Sequence, residues 1–167
     1  MGNTTKIIAE PEKQELFNIR EFDASQELVF KAFTDPDLYS QWYGPRGSVM
    51  NIETFEPKNG GFWRYVLKDQ KGNAYAFRGV YHEVAAPERI IDTVELEGLP
   101  EKGHAILRTN RFEALPDSKT RLIMQIVCQS VLDRDAMLSP KYEREVNESY
   151  NRLDELLEKM QKNLILK

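Results

Sequence analysis

The longest uninterrupted helical signal in the chain lies at its end, and it sets the terms for everything before it. From Ser139 to Gln161 neither glycine nor proline occurs after Pro140. Ser139 can cap the free N–H groups of a first turn, and Pro140 falls at the first helical position, where its missing N–H is not needed. Tyr142, Val146, Ser149, Tyr150, Leu153, Leu157 and Met160 recur at intervals of three and four, while Glu143, Arg144, Glu148, Arg152 and Glu155 lie mostly off that face. At 1.5 Å per residue the helix is about 34 Å long. It therefore needs an apolar surface of equal length to pack on, and the preceding segments read as a sheet that supplies one.

A chain of 167 residues is expected to form one domain, large enough to bury a core without disulfides or metals. Cys128 is the single cysteine, so an intrachain disulfide and a multi-cysteine zinc site are both excluded, and a reduced, cytoplasmic setting is the expectation. The opening Met-Gly-Asn-Thr-Thr-Lys lacks the apolar run of a secretory signal, and Lys6 stands where a myristoylation pattern needs Ser or Thr. No segment reaches the length of a bilayer span, so no membrane is expected as partner. The net charge is −4, with 23 basic and 27 acidic residues interspersed. A nucleic-acid partner, which requires a basic stripe, is not expected either.

In chain order, residues 1–12 are polar, end in Glu10-Pro11-Glu12 and read as a loose tail; residues 13–163 read as a single domain. Gln14 to Phe22 suits a first strand. Asp23-Ala24-Ser25-Gln26 has the form of a capping box with Asp23 as the cap, opening a short helix through Phe33. Asp35-Pro36 repeats the signal for a second short helix ending at Trp42 or Tyr43. Six runs rich in β-branched and aromatic residues follow, from Val49 to Cys128, separated by turn residues. The expected fold is α+β: a curled antiparallel sheet of about seven strands around a long C-terminal helix, with two short helices after strand one. One helix does not fill the concave side of such a sheet, and the remaining space is a default ligand site.

Chemistry is sparse. His82 and His104 are too few and too far apart for a metal cluster, no HExxH or nucleophile-elbow pattern occurs, and Gly60-Gly61 lacks the lysine and hydroxyl of a phosphate loop. No metal, cofactor or catalytic residue is therefore assigned. The aromatic set is the feature that can carry function. Phe33, Trp42, Trp63, Tyr65, Phe77 and Tyr81, together with Tyr142 and Tyr150 on the long helix, are candidate ligand-binding residues, with plain core packing as the alternative for each. Trp42, at the end of the second short helix, either stands at the mouth of a pocket with its N–H free or plugs the gap. Arg111 and Gln125 are candidate polar contacts, with Arg64 and Thr93 considered beside them, unless strand parity turns them to solvent.

Several spaced motifs resemble a known family. Asp23-Ala24 before Val29-Phe30-Lys31-Ala32-Phe33-Thr34-Asp35-Pro36, then Trp42-Tyr43-Gly44-Pro45, is similar to the opening of the domain homologous to the activator of heat-shock protein 90 ATPase. Gly60-Gly61-Phe62-Trp63-Arg64, Gly79-Val80-Tyr81-His82-Glu83-Val84 and Pro87-Glu88-Arg89-Ile90-Ile91 continue the resemblance in order, across nearly all of Gln14 to Met160. The family places a Gly-Trp pair before a Leu-Asp in its last helix; here Ser149-Tyr150 precede Leu153-Asp154. The resemblance implies the helix-grip fold of the START-like (SRPBCC) superfamily, whose members mostly bind apolar small molecules and occasionally catalyse with them. The expected function is binding of a small apolar or amphipathic ligand in an internal cavity. A co-chaperone that regulates heat-shock protein 90 ATPase is an alternative, weakened because only a short tail precedes the first strand. An enzyme of the cyclase or hydrolase type is another, without a visible catalytic constellation. A homodimer stays open.

Overall fold

The computed structural model describes residues 3–166. Eight strands, β1 (Lys6–Ile8), β2 (Glu15–Phe22), β3 (Val49–Phe55), β4 (Phe62–Lys68), β5 (Ala74–Ala85), β6 (Arg89–Leu96), β7 (Ile106–Leu115) and β8 (Lys119–Val127), form one antiparallel sheet in the order β1-β2-β8-β7-β6-β5-β4-β3. The helices are α1 (Gln26–Thr34), α2 (Pro36–Trp42), α3 (Val131–Met137) and α4 (Pro140–Ile165). The sheet curls without closing, with register shifts at Ile52/Thr54 in β3 and at Tyr81/Glu83 in β5. Such bulges bend a strand and raise its twist. α4 runs along the concave side, which is the helix-grip arrangement implied by the sequence.

The caps of the two helices that define the pocket form as read. Asp35 Oδ1 accepts from Asp37 N at 2.9 Å and Leu38 N at 3.4 Å ahead of Pro36, and Ser139 Oγ accepts from Tyr142 N at 3.1 Å ahead of Pro140. α4 buries Ser149, Tyr150, Leu153, Leu156 and Leu157, and each fully buried aliphatic side chain of this size contributes about 1.5–3 kcal/mol. They meet Phe22, Val29, Phe30, Phe112 and Leu122 in the main core.

Three local expectations are corrected. Lys6–Ile8, read as tail, is an edge strand pairing with Phe17–Ile19, because β2 otherwise leaves its outer row of backbone groups unpaired. Thr5 Oγ1 also accepts from the buried Arg20, at 3.2 Å. The cap of α1 is Ser25, not Asp23: Ser25 Oγ accepts from Leu28 N, and Gln26 donates to Phe112 O at 2.6 Å instead of reaching back. The helix α3 was not expected. Its buried Arg134 donates to Glu10 O and Glu15 O at 2.7 and 3.1 Å and so fastens the β1–β2 connection.

α3 carries a pH-dependent tie. His104 Nδ1 lies 3.0 Å from Asp133 in the first turn of α3, and Nε2 lies 3.3 Å from Glu101. The hydrogen bond to Asp133, then that to Glu101, raise the His104 pKa above its ordinary value of 6.5. A folded value above the unfolded one means the stabilisation is fully present below that ordinary value and is lost as pH rises through the folded value. An NMR titration is expected to place His104 above 6.5, and His104→Gln should remove that segment of the pH dependence. A midpoint at or below the ordinary value would contradict the tie.

Candidate functional site

A cavity of about 280 Å³ lies between the concave face of the sheet and α4, near the small end of the roughly 300–1,000 Å³ typical of ligand pockets. Strand alternation builds its floor. In β4, Trp63 and Tyr65 turn inward while Phe62 and Arg64 turn out, and from β5 Phe77 and Tyr81 join them. Gly79 pairs with Trp63 across β4 and β5; a Cβ there would fall 2.7 Å from the indole ring and 1.9 Å from Thr93 O, so glycine is what lets the ring lie down. Phe33 of α1, with Tyr39, Trp42 and Tyr43 at the end of α2, covers one end. Tyr142, Val146 and Tyr150 of α4 form the opposite wall.

Ser149 holds the corner where α2 meets α4. Its Oγ accepts from Gly44 N at 3.1 Å and donates to Trp42 O at 3.3 Å. The Ser-Tyr pair that departs from the Gly-Trp pattern is thus used: the hydroxyl clamps the α2 terminus, and the Tyr150 ring packs at 5.7 Å against Phe22 and 6.4 Å from Trp42.

One charge pair lies in this apolar setting. Asp92 on β6 and Arg108 on β7 are direct cross-strand partners, 2 % and 7 % exposed. Arg108 Nε and Nη2 donate to the two carboxylate oxygens at 3.0 and 2.7 Å, and Nη1 donates to Tyr43 Oη at 3.1 Å. The guanidinium lies 5.8 Å from the Trp63 ring centroid and 5.9 Å from that of Tyr43. Burial is the largest influence on Arg108 and opposes its charge, but the Asp92 carboxylate with the neighbouring Tyr43 and Tyr39 together hold the pKa well above the ordinary arginine value. Burial pushes the phenols the other way: Tyr142 is raised to about 12, and Tyr39, Tyr81 and Tyr150 are raised as well. These four tyrosines are neutral hydrogen-bonding groups at physiological pH. Among the described residues no cluster of three or more His, Cys, Asp or Glu could hold a metal, and no helix is long and apolar enough to cross a membrane.

With this geometry in place, the family follows from the match of residues 23–158 to the family described as Activator of Hsp90 ATPase homolog 1-like protein. The chain belongs to that family. No curated protein matches it. Solved structures similar to this activator-homologue domain include a protein from Rhodobacter sphaeroides, 27 % identical, TM-score 0.82, covering 92 % of this chain and 97 % of that one. A protein from Arthrobacter aurescens is 21 % identical, with TM-score 0.83 and coverage of 92 % and 91 %. A protein of the same family from Silicibacter pomeroyi is 22 % identical, with TM-score 0.70 and coverage of 86 % and 96 %. The last two carry the fold alone.

Within this activator-homologue domain, Phe33, Trp42, Trp63, Phe77, Tyr81, Tyr142 and Tyr150 line the cavity. Tyr65 does not; it is 1 % exposed, stacks on Trp63 at 5.2 Å and backs the wall. Arg111 and Gln125 are corrected outright. Both point from the convex face, where Arg111 is exposed and Gln125 donates to Glu15 at 2.6 Å, because parity assigns the concave face to Arg108, Asn110 and Phe112 on β7 and to Met124 and Ile126 on β8. Arg64 is likewise outside, paired with Glu53 and Glu97. Trp42 is 0 % exposed and its Nε1 donates to Ala32 O at 2.9 Å, so its ring is wall and its N–H is not free for a ligand. The polar residues that sequence reasoning missed, Asp92, Arg108, Asn110 and Tyr43, had a signal: Asp92 shares strand parity with Ile90 and Val94, and Arg108 with Ile106 and Phe112.

Proposed function

We propose that this domain binds a small, mostly apolar molecule in the cavity between the sheet and α4. The observation that carries the reading is the cavity itself: about 280 Å³, walled by aromatic rings, with its one Arg–Asp pair already mutually satisfied. A buried, internally neutralised pair orients a ligand and does not transfer protons, which favours binding over catalysis. The family's description refers to activation of a chaperone ATPase; an interior cavity of this size admits a small molecule and not a protein surface, so that reading gains no support from the site.

The test uses prodan, an uncharged naphthalene dye whose emission depends on its surroundings. Saturable one-to-one binding is expected. Val146→Trp, which places an indole in the cavity from α4, should abolish that binding while the cooperative thermal transition persists, since the new ring fills a void. If no void were there, overpacking would instead cost about 1–3 kcal/mol with dye binding unchanged or absent from the start, and the proposal would fall.

A further inference from the structure

The polar groups at one corner of the cavity restrict what can sit there. Three of Arg108's five N–H groups are engaged, two by Asp92 and one by Tyr43, which leaves two free. The Trp63 ring lies beside it, its centroid 5.8 Å from the guanidinium, and its buried indole N–H has no hydrogen-bond partner among the described residues. Asn110, two residues along the same strand face from Arg108, has an unpartnered Oδ1, an acceptor that itself lacks a donor. Donors without acceptors therefore outnumber acceptors without donors at this corner, and a buried donor without an acceptor is costly.

The same corner has no charge left over. Asp92 cancels Arg108. The other ionisable carboxylate of the lining is Glu145 on α4, whose cation partner Lys141 is 3.8 Å away on the outer side. An anion entering the cavity would lose its hydration and meet two carboxylates with the one guanidinium already taken. A neutral acceptor meets no such repulsion.

We propose that the ligand is an uncharged molecule with an aromatic or otherwise apolar body and a hydrogen-bond acceptor, such as a carbonyl oxygen, seated against the free N–H groups of Arg108 beside the Trp63 ring. This rests on the binding function proposed above and narrows its ligand class. Fatty acids and other carboxylates are excluded by it, as are plain hydrocarbons as optimal ligands.

Three probes of one scaffold test it by displacement of prodan: 2-acetylnaphthalene (a neutral acceptor), 2-ethylnaphthalene (the same body without the acceptor) and 2-naphthoate (an anion). The ketone should bind about tenfold tighter than either of the others, the increment expected of one hydrogen bond to a charged donor. Asp92→Asn, which leaves Arg108 without its counter-charge, should improve 2-naphthoate binding about tenfold relative to the native protein. The ranking in the native protein decides the matter even if that variant does not fold. Equal affinities for ketone and hydrocarbon, or naphthoate as the tightest ligand, overturn the ligand class while leaving cavity binding in place. Absence of any prodan binding overturns both.

Discussion

Replacing Trp42 by alanine is expected to destabilise the domain by about 3–5 kcal/mol. Trp42 is 0 % exposed and sits among Phe33, Tyr39, Tyr43 and Tyr150, with ring centroids 4.7 to 6.4 Å away. It joins α1 to α2 through its N–H bond to Ala32 O and α2 to α4 through the bond its carbonyl accepts from Ser149. Truncation removes the ring, and the surrounding rings belong to three helices that are fixed by other contacts, so the space cannot collapse. A domain of this size has roughly 5–15 kcal/mol of total stability, so the denaturation midpoint should fall steeply. Trp42→Phe keeps most of the packing and orphans only Ala32 O, which costs about 1–3 kcal/mol. Urea denaturation of both variants checks the ordering; equal losses would mean that the indole is peripheral to the core.

Arg108→Leu should be nearly as damaging, for an electrostatic reason. It strands the Asp92 carboxylate, 2 % exposed, opposite a leucine, and breaking one side of a buried pair costs about 3–5 kcal/mol. Tyr43 Oη loses its donor in the same step. The double variant Arg108→Leu/Asp92→Leu removes the stranded charge and should recover most of the loss, because a buried pair is often replaceable by apolar residues at little cost. A double-mutant cycle measures the coupling. If the double variant is as unstable as the sum of the single ones, the pair is not the unit described here. The recovered double variant should also lose preference for carbonyl-bearing probes, which separates the pair's part in recognition from its part in stability.

The long helix, the caps at Asp35 and Ser139 and the meander were legible in the sequence because each rests on local chemistry: a hydroxyl or carboxylate before a proline, a three-four periodicity, short β-branched runs between turn residues. The misreadings came where two local signals competed. Asp23 and Ser25 are both good caps, and the chain uses Ser25, the one whose position matches the first helical turn. Lys6–Ile8 is too short to declare itself and is a strand only because β2 offers an edge. α3 has little apolar periodicity and is held by the buried Arg134 reaching across to the β1–β2 connection.

For the site, the aromatic residues were legible as a set, since large rings on inward positions of a curled sheet have nowhere else to go. The choice of polar residues was not. Arg111 and Arg108 are three apart on one strand and therefore face opposite ways; the parity Arg108 shares with Ile106 and Phe112 is a faint local signal, and the register of β7 against β6 and β8 is what fixes that face beside Ile90 and Leu122. Tyr43 was read as the end of a helix; its role comes from Arg108, distant in sequence, whose guanidinium its hydroxyl receives.

The central claim, that the space under α4 accepts a small molecule, is tested most directly by the methionine methyl groups. Met124 and Met137 line the cavity, whereas Met50 and Met160 pack against the core outside it. In a sample labelled with 13C at the methionine methyls, titration with 2-acetylnaphthalene should shift the Met124 and Met137 signals saturably and with one common affinity, while those of Met50 and Met160 stay in place. Shifts that fail to saturate, or that fall on Met50 and Met160 as much as on Met124 and Met137, would contradict the account.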